Sequence, residues 1–350
     1  MPGADHATGY RRGPLRQILP APTGVARRKT AERADAEYGL SAEPDWRGID
    51  WLSTLRTAQI DDRLVTFVEL GAEHEDTVPV VFIHGLGGCW QNWLENLPRV
   101  AQERRVIALD LPGFGRSDAP RDPISITLFA HTVDHLCAEL GLGAVAAVGN
   151  SMGGFTAAEL AIKHPERVER LVLVDAAGIP VVKPQKIVTL RLAKLLAGLQ
   201  RGDPEQAIRT LRRPGFVQAA FGPVMRHPTR IQKDLLAEQF HGVGKPGFLD
   251  ATEALLTYSF VDRLGEIACP TLVVQGTEDF LVPLGDAWEY EKRIPNATTL
   301  ILEDTGHVPM LERPRTFNDA LMEFLDQTGP AAEPSTADEP TLAQAREGTV

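Results

Sequence analysis

Short apolar runs recur along the chain, at Val78 to Ile83, Arg105 to Leu109, Ala144 to Val148, Leu171 to Val174, Leu272 to Val274 and Thr299 to Leu302. Each has the length and near-continuous apolar character of a strand buried on both faces. Between several of them the apolar positions switch to helical spacing, notably over Thr127 to Leu140, Met152 to His164, Gly285 to Arg293 and Pro314 to Asp326. Strands that alternate with helices imply a mostly parallel central sheet covered by helices on both faces, an α/β fold. Ahead of this series, Thr57 to Leu70 reads as two strands around an Asp61-Asp62 turn, an opening hairpin.

One interval breaks the rhythm. From Gly178 to Asp262 the pattern is helical with no buried strand, which predicts an inserted helical cap. Inside it Leu190, Leu192, Leu195, Leu196 and Leu199 mix with Lys186, Arg191, Lys194 and Arg201. A basic amphipathic segment of this kind can lie on a membrane surface, but a lid helix with its apolar side on the sheet is the preferred reading. Both ends lack periodicity, the first rich in Arg, Ala, Gly and Pro and the last in Pro, Ala, Glu and Thr. The expected organisation is therefore a tail over 1–45, a core from 46–177 and 263–326, a cap over 178–262, and a second tail over 327–350. The basic group Arg27, Arg28 and Lys29 is read as a solvated arm. No repeat stands out at the periods of solenoids or propellers.

Composition narrows the classes of function. Against 47 Asp and Glu stand 36 Lys and Arg, a net charge of −11, so a surface that neutralises phosphates is not expected and nucleic acid is not an expected partner. The three cysteines, Cys89, Cys137 and Cys269, lie far apart without metal-ligand spacing and read as reduced core thiols. Arg11-Arg12 is followed by Gly-Pro-Leu-Arg-Gln rather than an apolar stretch, which argues against a secretory signal. No run approaches the roughly 20 apolar residues of a membrane span. The expectation is a soluble, cytoplasmic protein without stable membrane insertion; oligomeric state is left open.

The strongest chemical signal is Gly149-Asn150-Ser151-Met152-Gly153, a G-x-S-x-G between a buried strand and a helix. A sharp strand-to-helix turn exposes the serine Oγ at the carboxyl edge of the sheet, with small neighbours allowing close backbone approach. The Met152 N–H, at the helix start, is the natural first donor to a developing oxyanion. The bland alternative is that the glycines only permit tight packing, as in nucleotide-binding turns; those follow the first strand of a βαβ unit, whereas this turn follows a middle strand. A serine nucleophile needs a histidine base and usually an acid to orient it. His307, in Asp304-Thr-Gly-His-Val-Pro309 after the last strand, is the best placed of the nine histidines. For the acid, Glu278 and Asp279 stand side by side after Leu272 to Val274, and spacing barely separates them. His84, in His84-Gly-Leu-Gly-Gly88 after an earlier strand, can shape a loop through its hydrogen bonds without moving a catalytic proton; the loop offers a second backbone donor at Leu86. Trp90 and Trp93 follow it as candidates for a pocket wall or for plain core.

With these motifs in order the sequence resembles the α/β-hydrolase superfamily, over roughly Thr57 to Leu325. The His84-Gly85 loop is similar to the family's oxyanion loop, Asp110 to Asp118 to its next loop, and Gly149 to Gly153 to its nucleophile elbow. Gly276 to Asp279 with Val282-Pro283 is similar to its acid loop, and Gly306-His307 with Glu312 and Pro314 to its histidine loop. The resemblance favours Asp279 over Glu278 and implies a triad of Ser151, Asp279 and His307 with Leu86 and Met152 as oxyanion donors. Members with aspartate at the elbow make alkyl-enzyme esters; Ser151 there implies an acyl-enzyme formed from a small-molecule carboxylic ester or related acyl compound. Gly-Asn-Ser-Met-Gly-Gly also resembles the elbow of meta-cleavage-product hydrolases, which split carbon–carbon bonds. Val308 and Leu86-Gly87-Gly88-Cys89 depart from that group's tryptophan and Gly-Pro-Gly. A non-catalytic ligand-binding protein on the same fold is the reading from another class. No metal or organic cofactor is required by this chemistry, and none is expected.

Overall fold

The computed structural model describes residues 37–179 and 208–327, together with the backbone of 28–30. Nine strands, β1 (Arg28–Thr30), β2 (Leu55–Ile60), β3 (Arg63–Leu70), β4 (Val80–Ile83), β5 (Val106–Leu109), β6 (Val145–Asn150), β7 (Val168–Val174), β8 (Thr271–Gly276) and β9 (Ala297–Leu302), form one sheet. Their order is β1-β9-β8-β7-β6-β4-β5-β3-β2. The β2–β3 hairpin and the β3–β5 pair are antiparallel and the other pairs are parallel. This is the mostly parallel sheet that the apolar runs predict, with the hairpin turning at Asp61-Asp62 as expected.

Alternation along the strands divides the core. Val81, Ile83, Ile107, Leu109, Leu171 and Leu173 face one layer. Val80, Phe82, Val106, Ala108, Val172 and Val174 face the other. On the first side lie helices α1 (Ile126–Glu139), α2 (Met152–Lys163), α5 (Phe248–Thr257) and α6 (Leu284–Arg293); on the second lie α3 (Pro214–Phe221), α4 (Lys233–Glu238) and α7 (Pro314–Leu325). Helix α1 begins at Ser125, whose Oγ accepts the Leu128 N–H at 3.0 Å, an N-cap of the ordinary kind. In α2 every residue except Lys163 is buried, so this helix is fixed by packing rather than by amphipathicity. No described helix is long and apolar enough to cross a membrane.

Between β7 and β8 the described residues 208–262 hold α3, α4, α5 and 3₁₀ turns, with no strand among them. The Leu190 to Leu199 segment, read above as a lid helix, lies outside the described residues, as do 328–350. Two features correct the expected N-terminal tail. Arg28–Thr30 adds an edge strand parallel to β9, with Arg28 opposite Thr299, where a solvated arm was expected. Residues 37–45 are packed on the body: Tyr38 and Ala42 are buried. What holds them is polar, which is why apolar periodicity missed it. Glu95 accepts hydrogen bonds from the Ala42 N–H (2.7 Å), Trp46 Nε1 (3.0 Å) and Ser41 Oγ (3.1 Å), and Tyr38 donates its hydroxyl to Glu312.

The chain leaves β4 to form β5 on one side, then crosses back to β6 on the other, so the strand order reverses between β4 and β6. In open α/β sheets ligands bind outside the carboxyl ends of strands at such a switch point. The register pairs Ile83 with Gly149, which sets the loop after β4 beside Ser151.

Candidate active site

Three glycines make the turn after β6 possible. A Cβ on Gly149 would lie 2.2 Å from the Gly153 carbonyl oxygen, and one on Gly153 would lie 2.1 Å from that of Ile83. A Cβ on Gly85 would come within 3.1 Å of the Ser151 Cβ. Helix α2 therefore springs from β6 with its N-terminus pressed on the end of β4. Ser151 takes up the reversal at φ 56°, ψ −117°, a conformation that L-residues seldom adopt. Its backbone is tied down on both sides: the N–H donates to Val174 O (2.9 Å), and the carbonyl accepts from Phe155 and Ala177 (3.1 and 3.0 Å). Met152 opens α2, where the first N–H groups have no acceptor within the helix. The end of β4, from which the half-buried Leu86 loop leaves, lies against this end of the helix.

The loop after β4 is shaped as the sequence suggested. His84 is fully buried; its Nδ1 donates to the Gly85 carbonyl (2.7 Å) and its Nε2 accepts the Leu111 N–H (3.0 Å). Burial lowers its pKa to about 4, so the ring stays neutral and acts as a strut. Gly88 donates to Gly85 O and Gly87 has φ +73°, which closes a turn around Leu86. Asp110, after β5, holds the neighbouring segments by accepting from the Trp90 and Arg116 N–H groups, both at 2.8 Å. Burial raises its pKa to about 6. Trp90 and Trp93 are core residues: Trp90 packs on Trp51 and Trp93 on Phe82.

The neighbouring carboxylates after β8 separate cleanly. Asp279 Oδ2 lies 2.7 Å from His307 Nδ1, with the Asp279 side chain inaccessible and that of His307 6% exposed. Glu278 is exposed and faces Arg226 at 3.9 Å. Asp279 Oδ1 accepts from the Leu281 and Val282 N–H groups (2.7 and 3.0 Å), and Gln275 Nε2 reaches Oδ2 at 3.3 Å. Burial pushes the Asp279 pKa up, but the His307 charge and these hydrogen bonds outweigh it and hold the carboxyl below its usual range. An ionised Asp279 on Nδ1 keeps the proton there and leaves Nε2 as an acceptor.

Four side chains that sequence reasoning gave no role hold this arrangement. Asn150, just before Ser151, donates through Nδ2 to the His307 carbonyl (3.0 Å) and to Val174 O (3.1 Å), joining the serine turn to the histidine loop. Glu312 gathers the N–H groups of Gly306 (3.0 Å), Val308 (3.2 Å) and Arg226 (2.8 Å), fixing the backbone around His307. Gln275 braces Asp279. Asp175, at the end of β7 with φ +43°, has a carboxyl oxygen within 4.8 Å of those of Asp279 and the His307 ring nitrogen. Burial first, and the Asp279 charge second, raise its pKa well above the carboxylate range. A protonated Asp175 can thus donate to Asp279 while its Oδ1 accepts the Gly276 N–H at 2.9 Å. A carboxyl residue closing an apolar strand and an acid inside Met310 to Glu312 were the signals available for two of these.

Residues of the segment between β7 and β8 reach the same loops. Val224 O accepts the His307 N–H (2.9 Å), Gln239 Oε1 accepts from Asn92 Nδ2 (2.6 Å), and Gly247 N–H donates to Gly113 O (3.1 Å).

A model of the α/β hydrolase fold matches residues 78–314, more than half of the chain. Over 277 residues the chain is 30% identical to a dihydrolipoyllysine-residue acetyltransferase component of an acetoin cleaving system from Pseudomonas putida, covering 77% of this chain and 68% of that one. Among solved structures it is similar to a membrane phospholipase A described as a bacterial virulence factor, with 28% identity, a TM-score of 0.62, and coverage of 79% and 87% of the two chains. It is similar also to a thermophilic esterase from Thermogutta terrifontis, with 25% identity, a TM-score of 0.62, and coverage of 77% and 96%. Sheet order, switch point and these likenesses agree: the chain belongs to the α/β-hydrolase fold family.

Proposed function

We propose that this hydrolase cleaves carboxylic esters or related acyl compounds through an acyl-enzyme on Ser151. The observation that carries the reading is the 2.7 Å contact between an inaccessible Asp279 and His307 at the sheet edge where Ser151 occupies its strained turn. In the proposed cycle Ser151 Oγ attacks the acyl carbon while His307 Nε2 takes its proton. The carbonyl electrons move onto the oxygen, met by the Leu86 and Met152 N–H groups. As the tetrahedral intermediate collapses, His307 returns the proton to the departing alkoxide. Water, deprotonated by His307, then attacks the acyl carbon, and collapse releases the acid as His307 passes that proton to Ser151 Oγ. Asp279 holds the imidazole and offsets the charge of the imidazolium. The solved relatives named for phospholipase and esterase activity support an ester substrate.

The test is hydrolysis of nitrophenyl esters of graded acyl length by wild type and Ser151→Ala, with a fluorophosphonate probe alongside. Turnover and labelling that vanish together in the variant are expected. Equal turnover in Ser151→Ala overturns the assignment, and tight ligand binding without labelling points to a non-catalytic protein. Including ring-fission dienones in the panel separates ester from carbon–carbon cleavage.

A further inference from the structure

Away from the residues just described, α1 and the β2–β3 turn bring three ligating side chains together. His131 and His135 are four residues apart on α1, one turn above the other, with ring centroids 3.7 Å apart. Asp61, at φ +51° in the turn, faces both: Oδ1 lies 3.2 Å from His135 Nδ1 and Oδ2 lies 3.7 Å from His131 Nε2. One ligand atom from each of the three lies within 4.8 Å of the others. We propose that Asp61, His131 and His135 form a binding site for a divalent transition-metal ion of the zinc type, which fastens the β2–β3 hairpin to α1.

The spacing is within reach of such an ion. With bonds of about 2.0–2.1 Å in a tetrahedron, ligand atoms lie roughly 3.4 Å apart; here the two imidazoles approach different oxygens of Asp61, at 3.2 and 3.7 Å, and one atom from each residue lies within 4.8 Å of the others, a set that side-chain rotation can close on one ion. Two imidazoles and one carboxylate suit zinc, cobalt or nickel better than magnesium or calcium, which take all-oxygen shells. A fourth position is left for water. The charge balance is right as well. The Asp61 carboxylate is not taken up by the turn's arginines, since Arg63 and Arg121 approach Asp62 at 3.0 and 3.2 Å. Gln59 Nε2 donates to the Asp61 carbonyl (3.1 Å) and steadies the turn. All three side chains are between 38 and 44% exposed, so an ion can enter without opening the fold.

The experiment is a calorimetric titration of the full-length protein with zinc chloride, repeated by absorbance with cobalt, on wild type, Asp61→Asn, His131→Ala and His135→Ala. The expected result is one equivalent bound by wild type and a rise in Tm on adding zinc. Each variant is expected to lose more than roughly tenfold in affinity, the low end of what removing even a supporting partner costs a metal site. Metal-free circular dichroism and Tm of the variants establish that they remain folded. No binding by wild type, or binding unchanged in the double variant His131→Ala/His135→Ala, overturns the proposal. So does zinc binding that is lost only in His307→Ala, which assigns the ion to the Asp175, Asp279 and His307 group instead.

Discussion

Two residues at the sheet edge carry consequences that can be measured separately from turnover. Ser151 sits at φ 56°, ψ −117°, a backbone state whose cost is about 1–3 kcal/mol for a residue with a Cβ. Glycine escapes that cost and gives back roughly 0.5–1 kcal/mol in unfolded-chain entropy. Ser151→Gly is therefore expected to be inactive yet more stable than Ser151→Ala, by about 1 kcal/mol from the same two terms. Urea unfolding measures the difference, and a glycine variant weaker than the alanine variant contradicts a strained turn. Asp175 is the second. Asparagine keeps an acceptor for the Gly276 N–H, tolerates φ +43°, and supplies an N–H toward Asp279 in place of the protonated carboxyl. Asp175→Asn is expected to retain hydrolysis and stability. Asp175→Ala strands the buried Gly276 N–H, at a cost of about 1–3 kcal/mol, and lowers kcat by loosening Asp279. Equal kcat in the two variants contradicts a role through Asp279.

At the scale of elements, what the sequence revealed and what it hid divide along a physical line. Strands such as Val80–Ile83 and Val106–Leu109 and helices such as Pro314–Leu325 bury apolar side chains at a fixed period, and that period was visible. Ser151 and His307 stood out as candidates because each follows a strand in a recognisable local pattern. Neighbouring Glu278 and Asp279 could not be told apart by spacing, because the choice depends on which side chain the loop turns inward. The N-terminal packing was hidden for the same kind of reason: residues 37–46 are held by long-range hydrogen bonds to Glu95 and Glu312, which have no period. This makes Trp46 a test of whether that segment is structural. Trp46→Phe removes the Nε1–H donated to Glu95 at 3.0 Å and part of a buried ring. A hydrogen bond of this kind contributes on the order of 1 kcal/mol net, and lost ring volume adds to it. The urea midpoint should fall accordingly with kcat/KM unchanged; an unchanged midpoint means that the segment does not stabilise the fold.

The whole molecule has a pH dependence set by its buried acids. Among the described residues Glu95, Asp110, Asp175, Asp286 and Glu312 have pKa values raised chiefly by burial, Asp110 to about 6 and Asp286 to about 7. A carboxyl that stays protonated in the fold but ionises on unfolding makes the native state bind more protons, so stability falls as pH rises. For Asp110 and Asp286 the window opens near the unfolded value of about 4 and closes near pH 6 and 7 respectively. Two imidazoles act in the opposite sense. His84, lowered to about 4 by burial, and His131, lowered more modestly, add stability as pH rises toward about 6.5. Asp279, depressed mainly by His307 against the effect of burial, adds stability above about pH 4 and loses it as pH falls through its own pKa. Raised acids outnumber lowered imidazoles, and above about pH 6.5 the imidazole contribution is complete while that of Asp286 is still changing. Stability is therefore expected to peak on the acid side of neutrality and to decline toward pH 7. Asp286→Asn isolates the effect, because an amide cannot ionise: urea midpoints across pH 5 to 7.5 should fall less steeply in the variant than in wild type. Parallel curves would mean that Asp286 ionises alike in the folded and unfolded chains, and that the acid-side maximum has another source.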